Sequence, residues 1–178
     1  MSAPCLSVAD SAARLGLKGP RAAGWLAAQG LTVPAGANTW SGSPAGAAPL
    51  LIARLGQSEF FLEAQEEQPL ATLAAQLAAQ PDGVYPVLRE DFAFRLSGGG
   101  VHDVLAQVCN VDFAALDLEA RPVIMTLMIG VAVLAVADGS DQARQYRFWC
   151  DPTFGPSLSE TLGAIIVECG GTITGVSE

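Results

Sequence analysis

Near the start of the chain Leu17-Lys18-Gly19 runs into a helix-like stretch, and in mid-chain Leu96-Ser97-Gly98 does the same. Setting Leu17 on Leu96 also sets Gly19 on Gly98, Leu26 on Leu105 and Ala27 on Ala106. A matched strand-to-helix signal in both halves predicts one motif used twice, and such a repeat constrains a fold more tightly than local propensity does. A chain of 178 residues accommodates that as a single domain, 1–178, made of two pseudo-repeats at about 14–89 and 92–169 that share a core.

In the first repeat, residues 14–17 form a short apolar run that reads as a strand. Gly19-Pro20 then opens a helix over 21–29, with proline in the first turn, where a missing N–H costs nothing. Gly30 is a natural stop. Residues 31–48 are rich in Pro, Gly, Ser and Ala and read as a surface loop containing Asn38-Thr39-Trp40. A tryptophan in a loop either plugs back onto its own domain or presents itself to a partner. Apolar runs at 50–55 and 59–63 flank Gly56-Gln57-Ser58, which predicts a hairpin. Leu70, Leu73 and Leu77 recur at helical spacing within 69–80, Pro81-Asp82-Gly83 is a turn, and 84–88 is a further strand.

The second repeat follows the same order. Phe92, Phe94 and Leu96 alternate with Ala93 and Arg95, as in a half-buried strand, and Gly98-Gly99-Gly100 leads into a helix over 101–109. Residues 123–137 are apolar but too short to cross a bilayer. Rich in β-branched residues and broken by Gly130, they read as two buried strands or one bent strand. With a strand at 145–150 they bracket the turn signal Asp138-Gly139-Ser140-Asp141. A helix at 154–162, a last strand at 164–169 and a short frayed tail complete the expectation. The fold class is α+β: two similar halves, each a strand–helix–hairpin–helix–strand (ferredoxin-like) unit with helices on one face of a mostly antiparallel sheet.

Composition narrows the function. The chain is 51% hydrophobic and 15% charged, with mean hydropathy +0.37, whereas an ordinary soluble domain is about a quarter charged. Either an unusually large fraction is buried or another chain covers part of the surface, and the second is favoured. Net charge is −9 and Lys18 is the only lysine, so there is no basic face for nucleic acid. Cys5, Cys109, Cys150 and Cys169 are scattered, and the single histidine, His102, cannot complete a zinc site with them. They read as free thiols in a reducing cytoplasm. Met1-Ser2-Ala3-Pro4-Cys5-Leu6 lacks a basic stretch followed by an apolar one, so no secretory signal is expected.

Candidate chemistry is sparse. Ser97-Gly98-Gly99-Gly100 before a helix could cradle an anion. It lacks the Lys-Ser/Thr of a phosphate loop, and a tight turn with close helix–sheet packing accounts for it better. His102 and Asp103 are adjacent, so on a helix they point about 100° apart and make no local dyad. Glu59, Glu63, Glu66 and Glu67 crowd a hairpin and the turn after it, the usual pattern of a solvated edge. Asp138 and Asp141 suit a turn for backbone reasons alone. Lys18, a lone lysine before a helix, is a candidate contact for an anionic group on a partner.

Arg14-Leu15-Gly16-Leu17-Lys18-Gly19-Pro20, continued by Ala22-Ala23-Gly24-Trp25-Leu26, resembles the gamma subunit of heterotetrameric sarcosine oxidase. Asn38-Thr39-Trp40, then Arg54-Leu55-Gly56-Gln57-Ser58-Glu59-Phe60-Phe61-Leu62, keep that family's order, and Phe94-Arg95-Leu96-Ser97-Gly98 through Val104-Leu105-Ala106 is similar too. The resemblance implies the fold of the folate-binding domain of aminomethyltransferases (the glycine-cleavage T protein). It implies an accessory, non-catalytic subunit, in the cytoplasm, of a complex that oxidatively demethylates sarcosine or a related N-methyl amine and passes the carbon to tetrahydrofolate. FAD, FMN, NAD and tetrahydrofolate would then sit on the other subunits, with none bound by this chain. The partners would be larger alpha and beta flavoprotein subunits and a small delta subunit, with no nucleic acid and no membrane. Arg14, Lys18, Trp25 and Trp40 are the candidate interface residues, and no catalytic, cofactor or metal residue is assigned. Two other readings remain: a stand-alone folate-binding one-carbon protein, and a free-standing dimer that covers its apolar surface with itself.

Overall fold

The computed structural model describes residues 3–8, 12–42, 49–137 and 144–175. They gather into two compact units: 11–90, and 1–10 together with 91–178. The chain opens with β1 (Cys5–Ser7), which belongs to the second of these.

The 11–90 unit comprises β2 (Ala13–Lys18), α1 (Ala22–Ala28), β3 (Thr39–Gly42), β4 (Leu50–Arg54), β5 (Glu59–Ala64), α2 (Glu67–Ala78) and β6 (Tyr85–Val87). Its five strands run β3-β4-β5-β2-β6, every neighbour antiparallel. The helical leucine spacing does what it predicts: Leu70, Leu73 and Leu77 of α2 are buried with Leu17, Leu26, Ile52, Phe60 and Leu62. Pro69 is tolerated because it lies in the first turn of α2, where the N–H has no intrahelical acceptor.

The other unit continues with β7 (Phe92–Ser97), α3 (Val101–Val108), β8 (Val123–Met128), β9 (Val131–Ala137), β10 (Gln145–Cys150), α4 (Gly155–Glu168) and β11 (Thr172–Thr174). Short 3₁₀ turns at Phe113–Ala115 and Pro152–Phe154 precede β8 and α4. The six strands run β11-β1-β7-β10-β9-β8. Phe94, Leu96, Tyr146, Phe148, Leu158, Leu162 and Ile166 form the centre of its core.

At the aligned positions the two strand-to-helix turns are built alike. Leu17 and Leu96 are fully buried, each two residues before a glycine of positive φ, Gly19 at 135° and Gly98 at 92°. Ala22 N–H donates to Gly19 O at 3.1 Å, and Val101 N–H to Gly98 O at 3.3 Å, so both helices start from the same turn. Leu26 and Leu105 face the two cores, and Ala27 and Ala106 face out. One position differs. Beside β2 lies β6, a strand from the same stretch of chain, whereas the matching place beside β7 is taken by β1.

Several expectations are corrected. Residues 39–42 of the expected loop form β3, so each unit has a three-stranded meander, one strand more than the ferredoxin-like plan. Of the two readings of 123–137, two strands are found. They meet at Ile129 and Gly130, both with positive φ (51° and 80°), the backbone a tight hairpin turn requires. The strand expected at 164–169 is the last part of α4. Leu158, Leu162 and Ile166 repeat every four residues and all are buried, and that stripe outweighs the β-branched run at 165–167. The final strand is β11, within the expected tail. The predicted turn at Asp138–Asp141 lies outside the described residues, as does 43–48 of the expected loop. Among the described residues no helix is long and apolar enough to cross a membrane.

Candidate functional site

The Gly19 turn positions one accessible feature of the 11–90 unit. Gly19 sits against the Gly83 carbonyl, with no room for a side chain, and Arg21 N–H donates to that same carbonyl at 3.1 Å. The start of α1 is thereby held against the Pro81-Asp82-Gly83 turn. Between them lies an open depression of about 510 Å³, lined by Pro20, Arg21, Gly24, Trp25, Asp82 and Val84. Trp25 is half-buried, packed against the core while contributing to the wall. Arg21 Nη1 and Asp82 Oδ2 pair across it at 2.7 Å, with 69% and 83% of their side chains exposed. An aromatic wall under an exposed ion pair can seat an apolar or planar group and exchange one charge partner, and it brings no nucleophile or acid–base pair.

The four predicted interface residues occupy different settings. Trp25 lines the depression. Lys18 is exposed at the end of β2, in register with Glu59 on β5 and Tyr85 on β6. Trp40 is half-buried on β3, opposite Ala53 of β4. The Arg14 side chain is buried: its Nε donates to Glu63 Oε2 at 2.9 Å, with 6% and 3% of the two side chains exposed. All four lie in the 11–90 unit.

Arg54 has a role its neighbours in sequence did not reveal. Its guanidinium donates to the carbonyls of Pro34 (3.0 Å), Ala35 (2.8 Å), Gly56 (3.2 Å) and Gln57 (2.7 Å), and lies 5.5 Å from the Phe60 ring centre. One side chain thus ties the segment before β3 to the β4–β5 hairpin. The only hint was a charged residue ending an apolar strand directly before Leu-Gly.

The remaining candidate chemistry is absorbed by structure. The glutamates disperse: Glu63 pairs with Arg14, and Glu59 pairs with Arg89 at 3.2 Å. Glu66 and Glu67 are exposed at the start of α2, where a helix favours negative charge. At Ser97-Gly98-Gly99-Gly100, Gly98 lies against the Ala3 carbonyl and Gly100 near the Pro4 ring, so the glycines serve close packing. His102 pairs with Tyr146 (Nε2 to hydroxyl, 2.8 Å) and not with Asp103. The Tyr146 hydroxyl donates its one proton to Phe113 O at 3.1 Å, so it accepts from His102 Nε2–H, which fixes the tautomer of the neutral ring. Burial, then the nearby Arg144, hold the His102 pKa below its ordinary value, and burial pushes the Tyr146 phenol up. This network fastens α3, the Phe113 turn and β10 together. The four cysteines are free, and burial pushes the Cys150 thiol up to about 11. Among the described residues no three His, Cys, Asp or Glu side chains are grouped to hold a metal ion.

No protein-family model and no curated protein matches this sequence. Solved structures do match. One is a chain of the heterotetrameric sarcosine oxidase from Corynebacterium sp. U-96 in complex with pyrrole 2-carboxylate, at 23% identity and a TM-score of 0.71. That match covers 97% of this chain and 86% of the other. Another is the glycine cleavage system aminomethyltransferase T from Bartonella henselae, at 14% identity and a TM-score of 0.70 over 98% of this chain. The match spans 48% of the aminomethyltransferase, about half its length. The chain therefore shares the α+β fold of the sarcosine oxidase chain and of part of the aminomethyltransferase.

Proposed function

We propose that this chain is an accessory, non-catalytic gamma-type subunit of a multisubunit flavin-dependent amine oxidoreductase, residing in the cytoplasm. The enzyme would oxidatively demethylate sarcosine or a related N-methyl amine and pass the one-carbon unit to tetrahydrofolate. The observation that carries the reading is the likeness to a chain of a heterotetrameric enzyme over 97% of this chain and 86% of that one. The surface supports it. A chain with 15% charged residues leaves Met125 (54%), Leu127 (57%) and Ile129 (42%) exposed at one hairpin, as a chain with partners does.

In this reading the alpha and beta subunits carry FAD, FMN, NAD and tetrahydrofolate, and those cofactors supply the redox and carbon-transfer chemistry. This chain contributes docking surface: Trp25 as an aromatic anchor with Arg21 and Asp82 at its rim, and Lys18 and Trp40 as further contacts. Arg14 acts from inside, holding the strand that presents Lys18. The test is to tag the chain in its own host, purify it gently, and record subunit masses and the visible spectrum. Co-purifying larger chains with flavin absorbance are expected, whereas a colourless chain alone would overturn the reading.

The likeness to aminomethyltransferase T over 98% of the chain supports a second reading, a stand-alone folate-binding one-carbon protein. Saturable tetrahydrofolate binding by the isolated chain would favour it over the first.

A further inference from the structure

β1 is a three-residue strand placed inside a sheet, not at its edge. It pairs antiparallel with β7 (Leu6 opposite Leu96) and parallel with β11 (Leu6 opposite Ile173). Two further bonds extend this ladder: Val8 N–H to Thr174 O at 2.9 Å and Thr172 N–H to Pro4 O at 3.0 Å. Leu6 is 1% exposed and belongs to the core of the 91–178 unit.

The walls of this slot are made to receive backbone. Gly98 abuts the Ala3 carbonyl, Gly171 the Pro4 carbonyl and Gly175 the Val8 carbonyl, and at each a Cβ would collide with that oxygen. Gly98 and Gly175 also have positive φ, 92° and 77°. The slot therefore recognises an extended peptide by main-chain hydrogen bonds on both sides, close glycine contacts and one apolar pocket for Leu6. None of these contacts depends on the covalent link from Val8 to the next strand. The matching place in the other unit needs no distant donor, because β6 fills it.

We propose that the 91–178 unit carries a strand-receiving groove whose ligand is an extended peptide with one central apolar side chain, and that residues 3–8 of a second copy of this chain fill it in trans. Every contact made in cis is available in trans, so exchange between copies requires no new surface. The covalent link supplies only local concentration.

The test uses the full chain carrying Leu6→Asp, whose groove is intact and whose own strand is spoiled. The probe is a fluorescently labelled synthetic peptide of residues 1–10. Saturable binding and a raised melting temperature of the variant are expected. A peptide itself carrying Leu6→Asp should bind at least about tenfold more weakly, as loss of one buried leucine dictates. A folded Leu6→Asp chain that ignores the native peptide overturns the proposal. If that variant does not fold, the wild-type chain is warmed close to its melting temperature with excess labelled peptide and cooled. Label retained in the folded fraction is expected, and its absence overturns the proposal. The same cycle at high protein concentration without peptide should leave a slowly dissociating dimer by light scattering, and monomer alone would count against exchange between copies.

Discussion

Arg14 and Glu63 are directly opposed residues of β2 and β5, joined by a 2.9 Å bond from Nε to Oε2 inside the 11–90 unit. With 6% and 3% of the side chains exposed, neither charge can be resolvated if the other is removed. Arg14→Met should therefore destabilise the chain by about 3–5 kcal/mol, and the double variant Arg14→Met/Glu63→Leu should recover much of that loss. Urea denaturation of the two variants measures both. A single variant as stable as wild type would show that the pair is not closed to water.

Gly19 and Gly98 occupy equivalent turns and should respond alike. Each has a positive φ, and each would drive a Cβ into a carbonyl, that of Gly83 or of Ala3. Backbone strain and overpacking together put the cost of either Gly→Ala change at about 2–4 kcal/mol. Hydrogen exchange should locate the loss in 11–90 for Gly19→Ala and in 91–178 for Gly98→Ala.

The His102–Tyr146 pair makes stability depend on pH. His102 titrates below its ordinary 6.5 in the fold, held down first by burial and then by Arg144. The unfolded chain thus takes up the proton more readily. The stabilisation from neutral His102 is complete above the ordinary histidine pKa and is lost as pH falls from there toward the folded value. Urea midpoints compared on either side of the ordinary histidine pKa test the direction, and the lower pH should give the lower midpoint. In His102→Gln the difference should shrink. Tyr146→Phe should cost about 1–3 kcal/mol, because the partners of a buried hydroxyl lose their bonds.

Arg54 binds four carbonyls through a planar fork, which an ammonium cannot reproduce. Arg54→Lys should cost about 1–3 kcal/mol despite keeping the charge. Exchange protection should fall at 34–38 and 55–58 before it falls elsewhere.

Arg21 and Asp82, by contrast, are exposed and worth little to the fold. Arg21→Glu should leave the melting temperature nearly unchanged. If the depression beside Trp25 seats a partner subunit, the same change should weaken capture of that partner at least about tenfold in a pull-down titration.

Much of the fold was legible because local and tertiary signals agreed. Leu70, Leu73 and Leu77 announced α2, and the Leu17/Leu96 alignment announced two turns of identical construction. Disagreement was the source of each miss. β3 is hidden because 39–42 follows a Pro- and Gly-rich approach, and what holds it in register is β4 together with Arg54, a residue twelve or more positions away. The last third of α4 looked like a strand from its β-branched residues, until Leu158, Leu162 and Ile166 were seen sharing one buried face. Of the residues lining the depression, the sequence marked only Trp25 as a contact, because Asp82 and Val84 arrive from the far end of the unit. Nothing in local sequence tells that Tyr146 is the partner of His102, since the contact crosses 44 positions.

The position of β1 also sets an order of events on the ribosome. Cys5–Ser7 leaves the exit tunnel well before either neighbour, since β7 is not made until residue 92 and β11 not until residue 172. Every strand of the 11–90 sheet is meanwhile already available to its neighbours. That unit can close during synthesis while β1 waits unpaired. Cys5–Ser7 is thus made long before it finds its place, and until then it is a part of the nascent chain open to capture.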